Sequence, residues 1–310
     1  MTNLLRPFSC VLQSIGLAAL VWSGNAQAAD PLASVPVPVT ASFSILGDLV
    51  RVVGGDRVVV TTLVGPDADA HVFEPKPSHA KAVAQSRLLV TNGLGFEPWA
   101  SRLAKAAGYR GASVVASQGV QARIVAQGQG HGHADSDPHA WQNPNNVIIY
   151  LRNIAAGLSQ VDPAGAAIFR RNAAAYAQEI LELDAFAKAQ FAALAPNQRK
   201  VITSHDAFGY FGAQYGIQFF APQGMSTDAE PSAKAVAQLI RQIRREKIKA
   251  VFLENMSNPR LLTQLSQDVG VTVGARLYAD ALSGPNTPGA TYLQMMRHNI
   301  TQLAAGMRLN

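Results

Sequence analysis

The sequence predicts an α/β fold of two βα lobes, each with a mostly parallel four-stranded sheet, joined by one long helix. Three observations carry that reading. Short β-branched runs recur, each followed by a segment of helical periodicity. The same rhythm returns in the second half of the chain, and between the halves residues 162–194 read as one helix with no proline after the first turn.

The first thirty residues stand apart. Arg6 is their only charge before Asp30, and Val11 to Trp22 is mostly apolar. Twelve helical residues span about 18 Å, short of the roughly 30 Å hydrocarbon core, so the stretch reads as an export signal. Ala26-Gln27-Ala28 supplies the small-x-small pattern that precedes cleavage, which assigns residues 1–29 to a signal peptide. Cys10, the single cysteine, precedes the apolar run and is badly placed to become a lipidated N-terminus. The expectation is a soluble periplasmic protein without disulfides.

The first lobe, residues 30–161, follows a Pro-rich lead-in. Its strands are read at Val37 to Ser42, Val58 to Val64, Leu88 to Thr91 and Ser113 to Ala116. These runs are continuously apolar, as strands covered on both faces should be, and Gly54-Gly55-Asp56 punctuates the first helix-to-strand return. The linking helix, 162–195, opens with Asp162 as cap and Pro163 at the first helical position. Phe169, Ala173, Tyr176, Ile180, Leu183 and Ala187 recur at steps of four and three and make one apolar stripe on a rod of about 45 Å. In the second lobe, 196–310, strands are read at Lys200 to Thr203, Ile217 to Phe220, Ala250 to Leu253 and Val271 to Leu277. Helices are read near Ser232 to Glu246, Pro259 to Asp268 and Tyr292 to Met307.

With 310 residues, 48% of them hydrophobic and 15% charged, the chain is a core-burying protein and not a disordered one. Its formal charge of +6 is not massed in one tail, which gives a nucleic-acid partner no support.

Seven histidines are present, and position separates them. His71 lies in the loop after the second strand, His205 follows the strand ending at Ser204, and Asp280 follows the strand ending at Tyr278. His139 sits in Asp137-Pro138-His139-Ala140-Trp141, a turn leading into a helix near Asn143. Ligands of open α/β sheets bind beyond the carboxyl ends of the strands. Three neutral imidazoles and a carboxylate match the closed tetrahedral coordination of zinc, and a closed site leaves no position for a metal-bound nucleophile, so it holds rather than catalyses. A bidentate Asp280 would raise the count to five and admit manganese. Taken singly, a loop histidine reads as an exposed polar residue and Asp280 as a helix cap. His79 and His298 fall within helical patterns and stay outside the site.

Several motifs, in this order, resemble the metal-binding substrate-binding proteins of ATP-binding-cassette importers for zinc and manganese, sometimes called cluster nine. They are Gly54-Gly55-Asp56, His71-Val72-Phe73-Glu74-Pro75-Lys76-Pro77-Ser78, Asn92-Gly93-Leu94-Gly95, Asp137-Pro138-His139-Ala140-Trp141, His205-Asp206-Ala207-Phe208-Gly209 and Asp280 with Pro288-Gly289-Ala290-Thr291-Tyr292. The resemblance implies two lobes joined by a helix, with Zn²⁺ or Mn²⁺ held between them by His71, His139, His205 and Asp280. It implies delivery to an inner-membrane permease by a monomer that is not an enzyme. His at position 205 is similar to the zinc-binding members. Many of those carry a His-rich loop before the second ligand; here Gly128 to Asp137 is a short version, with His131, His133, Asp135 and Asp137 as an accessory set that gathers metal or docks a metal-delivery partner.

The rival reading is an exported zinc hydrolase, since His131-Gly132-His133-Ala134-Asp135 fits the His-x-His-x-Asp run of β-lactamase-type metallo-hydrolases. That run should follow a buried strand, yet here it follows Gly128-Gln129-Gly130, and Ser136 stands where a further His is expected. No His-Glu-x-x-His, Gly-x-Ser-x-Gly or phosphate-cradling Gly-Lys-Ser/Thr motif is present. Arg241, Arg244, Arg245, Lys247 and Lys249 form a basic run that reads as a solvated helix face, with a permease or lipid contact as the other reading.

Overall fold

The computed structural model describes residues 1–2, 35–125 and 135–310; the expected signal peptide, and His131 and His133, lie outside them. The first half runs β1 (Val37–Phe43), α1 (Ser44–Gly54), β2 (Val58–Val64), α2 (Pro77–Gln85), β3 (Leu88–Thr91), α3 (Pro98–Ala106) and β4 (Ala112–Val115). A short hairpin, β5 (Ile124–Val125) with β6 (Asp135–Ser136), precedes α4 (Pro144–Val161). Then come α5 (Ala166–Ala192), β7 (Lys200–Ile202), α6 (Gly209–Tyr215), β8 (Gln218–Phe220), α7 (Ala233–Glu246), α8 (Pro259–Val269) and α9 (Tyr292–Met307). No helix among the described residues is long and apolar enough to cross a membrane.

The first sheet is parallel throughout, in the order β2-β1-β3-β4, with Val39 between Val60 and Leu88. Central β1 is buried at six of its seven residues, as a strand covered on both faces should be. The flanking β2 departs from that expectation: Val59 is exposed, because an edge strand has a neighbour on one side only. At the return from α1, a Cβ on Gly54 would stand 2.3 Å from Val58, and Gly55 takes φ +54°. Only glycine fits that turn without strain.

Helix starts follow the local chemistry. Proline opens α2, α3, α4 and α8, where its missing N–H costs nothing. Asn143, Ser232, Asn258 and Thr291 cap α4, α7, α8 and α9 by accepting from backbone N–H groups. Asp162 caps a single 3₁₀ turn, Pro163–Gly165, so α5 begins at Ala166; its 27 residues span about 40 Å. The whole expected stripe from Phe169 to Ala187 is buried, packed against α1, α4 and α9.

The second sheet is less regular than the sequence suggests. β7 and β8 pair in parallel, but the runs read at Ala250 to Leu253 and Val271 to Leu277 join by isolated bridges, Ile202 to Val251, Val251 to Val273 and Glu254 to Leu277. The outer run is an exposed edge at Thr272 and Gly274 to Arg276. A Cβ on Gly274 would meet the Phe252 ring at 2.8 Å, so glycine suits that position, and the Gly274 and Leu277 N–H groups bond to the Val251 and Leu253 carbonyls at 2.7 and 2.8 Å.

Candidate metal centre

Four loops build one buried cluster: that after β2 contributes His71, that after β6 His139, that after β7 His205, and the run ending at Leu277 leads to Asp280. After β2 the chain enters residues 65–76, where Asp69 Oδ1 accepts from the His71 N–H (2.9 Å) and Oδ2 accepts from Thr227 Oγ1 (2.6 Å). Trp99 Nε1 donates to the Ala70 carbonyl (2.9 Å), and the His71 ring stands edge-on to Phe96. These contacts turn the His71 imidazole inward. Asp137 Oδ1 accepts from the His139 N–H (3.0 Å) and faces its Nδ1 (2.9 Å), while Oδ2 accepts from Arg123 Nη1 (2.9 Å).

Glu254 serves the second half similarly. Its Oε1 accepts from the N–H groups of Ser204 and His205, and Oε2 meets His205 Nδ1. Asp280 is positioned by its neighbours: Asn299 exchanges two hydrogen bonds with the Tyr278 backbone, and the Ala279 carbonyl accepts from Trp141 Nε1 and Gln142 Nε2. A carboxylate on Nδ1 fixes the tautomer and leaves Nε2 as the free donor, which is how metal-binding histidines are held.

One donor atom from each of His71, His139, His205 and Asp280 lies within 4.8 Å of the other three. Asp280 Oδ2 is 3.2 Å from His71 Nε2 and 3.0 Å from His205 Nε2, and Oδ1 is 3.6 Å from His139 Nε2. Among the described residues, all three Nε2 atoms and both Asp280 oxygens are buried without a hydrogen-bond partner. Buried polar groups are rarely left so, and five aimed at one point make a cradle for a cation. Burial alone would depress His205, yet the charges of Glu254 and Asp280 raise it well above the ordinary imidazole value. Burial would likewise push Asp280 up, but the facing His205, His139 and His71 imidazoles hold it well below the usual carboxylate range.

The four residues singled out in the sequence are thus brought together. Asp137, grouped there with the accessory loop, stands apart from that role: it is buried behind His139, and its carboxylate is committed to His139 and Arg123. His139 above all holds this carboxyl below its usual range against the opposing effect of burial. Asp135 lies in β6, while His131 and His133 fall outside the described residues. His79 accepts from the Lys76 N–H at the start of α2 and His298 Nε2 contacts the Arg276 carbonyl, so both lie away from the cluster. Glu254 was missed, although it follows the run Ala250 to Leu253 as His205 follows its own strand, and the same strand-end rule would have found it.

The family model for ZnuA, the zinc-uptake complex component A, periplasmic, matches residues 39–306. The manganese-binding lipoprotein MntA of Halalkalibacterium halodurans is 32% identical over 270 residues, 87% of this chain and 88% of that protein. The iron-binding protein YfeA of Yersinia pestis is 31% identical over 268 residues, 86% of this chain and 85% of that protein. The periplasmic zinc-binding protein TroA of Treponema pallidum superposes with a TM-score of 0.81 at 26% identity, covering 88% of this chain and 99% of that one. The Mn-bound periplasmic metal-binding protein of candidatus liberibacter asiaticus gives 0.77 at 26% identity, covering 87% and 98%.

Proposed function

The chain belongs to the metal-binding substrate-binding proteins of ATP-binding-cassette importers, the family of zinc-uptake complex component A, whose members bind and do not catalyse; from that premise we propose that it captures Zn²⁺ and delivers it to a membrane permease. The ligands in this reading are His71, His139, His205 and Asp280. The observation that carries it is the set of five unpartnered buried atoms facing one point. Bonds of 2.0–2.1 Å at the tetrahedral angle set donors roughly 3.3 Å apart; Asp280 Oδ2 stands 3.2 and 3.0 Å from Nε2 of His71 and His205, near that value, while His139 Nε2 faces Oδ1 at 3.6 Å. Three nitrogens against one carboxylate favour zinc over harder ions.

A second reading, Mn²⁺, draws support from Asp280, both of whose oxygens lack partners and can bind together as a fifth donor. Native mass spectrometry of the purified protein with zinc, manganese and copper competing tests the choice. Retention of one zinc per chain is expected; retention of manganese against zinc would overturn the zinc assignment.

Release follows the weakest support. His71 is the one donor residue with an exposed edge, its side chain 5% accessible, and it lies seven residues beyond the end of β2, in loop 65–76. In this reading the permease lifts that loop, or parts the lobes 30–161 and 196–310 about the linking helix 162–195. The protein acts as a soluble periplasmic monomer after loss of residues 1–29; N-terminal sequencing of exported material that began at Met1 would overturn that. His131, His133 and Asp135 feed the site or dock a metal-delivery partner. Deleting residues 131–135 and finding an unchanged loading rate at limiting zinc would remove their role.

A further inference from the structure

Helix α7 and the turn beyond it, residues 233–249, contain six of the chain's 26 Lys+Arg and one of its 20 Asp+Glu. Their net charge of +5, against +6 for the whole chain, leaves the rest close to neutral. The charge is therefore polarised onto one element.

The helix turns Leu239 and Ile243 into the core and leaves Lys234, Arg241, Arg244 and Arg245 exposed. Lys247 ends it in the left-handed conformation, φ 55°, and Lys249 is exposed just beyond. Lys234 and Arg241 make no hydrogen bond or ion pair among the described residues. Two acidic side chains lie at the margin. Glu246 is paired with Lys200 and Arg245, and Asp268 accepts from Gln264 and offers its carbonyl to Arg244.

A groove of about 520 Å³ adjoins this stripe, with Ile248, Val271 and Leu309 among its apolar lining and Arg244, Lys247 and Lys249 among its cations. Leu309 is 60% exposed. It is not at a loose end, because Asn310 accepts from the N–H groups of Lys249 and Ala250 and donates to the carbonyls of Gln198 and Lys200. An apolar side chain is thus held in the open beside cations.

We propose that this face docks on the anionic surface of a phospholipid bilayer, its cations on lipid phosphates and Leu309 in the headgroup layer. A protein partner is the poorer fit. Tight protein interfaces centre on aromatic anchors and fixed complementary pairs, and neither the stripe nor the groove lining contains an aromatic residue. Exposed cations spread along about 20 Å of helix, Lys234 and Arg241 among them without partners, suit a continuous field of negative charge instead. Each cation near such a surface is worth about fivefold in partition, and salt screens the effect. The consequence is a carrier kept at the membrane where its permease sits, whichever metal it carries.

The test is co-sedimentation of the zinc-loaded protein, as exported, with phosphatidylcholine vesicles and with vesicles containing about one-third phosphatidylglycerol, at about 50 and about 500 mM NaCl. Binding to the anionic vesicles at low salt and release at high salt are expected. Lys234→Gln with Arg241→Gln should cut that binding about 30-fold and leave zinc affinity unchanged. A second variant, Leu309→Ser, should lower binding while preserving its salt dependence. Equal binding by parent and double variant, or equal binding to neutral and anionic vesicles, would overturn the proposal. So would capture by permease in neutral proteoliposomes with none by anionic vesicles, which would make the partner a protein.

Discussion

Zinc capture by this site should expel more protons at pH 8 than three ordinary imidazoles would release. His205 is fully buried, and burial works against its charge, but the Glu254 and Asp280 carboxylates raise it well above its ordinary value. In the metal-free protein the stability this confers is complete below about pH 6.5 and is lost as pH rises through the raised value. Asp280 runs the other way: with its value depressed it is already ionised in this range, and its contribution is lost only as pH falls through that depressed value. A cation bonds to Nε2 only after the ring gives up its proton. An ordinary imidazole is about 3% protonated at pH 8, so three of them would release roughly 0.1 proton together. A His205 raised above that ordinary value releases more than its share of this. Isothermal titration calorimetry at pH 8, in buffers of different ionisation enthalpy, reads the number as the slope of observed heat against buffer heat. Glu254→Gln, which removes one of the two carboxylates, should lower the slope. A slope near 0.1 for the parent would refute the charge assignment.

Three other outcomes are expected. His139→Ala or His205→Ala should weaken zinc binding more than His71→Ala does, since the first two are pinned by carboxylates; competition against a fluorescent chelator gives the order, and intact affinity in two of the three would remove the ligand assignment. Glu254→Gln should reduce zinc affinity about 10- to 100-fold although it touches no metal, read in the same assay. Phe169→Ala, fully buried on the linking helix, should cost about 3–5 kcal/mol in urea unfolding while zinc stoichiometry stays at one.

How far the sequence reaches is clearest from particular residues. The end of β2, the start of β7 and the stripe from Phe169 to Ala187 follow from local periodicity, since a strand or helix exposes its pattern within its own few residues. His71, His205 and Asp280 were legible for the same reason: each follows a run whose end could be read, and the strand-end rule sends such residues toward one crevice. The second sheet is parallel as its runs imply but looser, held beyond β7 and β8 by isolated bridges, because a continuous apolar run tells of burial and not of how regular a ladder forms. Whether Gly274 lies over the Phe252 ring is settled 22 residues away in the chain.

The amino-acid order alone determined most of the elements, their α/β alternation and the types of donor atom available, because those depend on side-chain chemistry and short-range steric preference. Only the tertiary structure decided that Asp137 supports His139 instead of joining the loop, that Glu254 backs His205, and that five polar atoms end buried and unpartnered around one point. Those facts rest on distances of about 3 Å between residues as far apart as 71 and 280. Such distances are fixed when the apolar faces of the helices pack, and no local pattern encodes them.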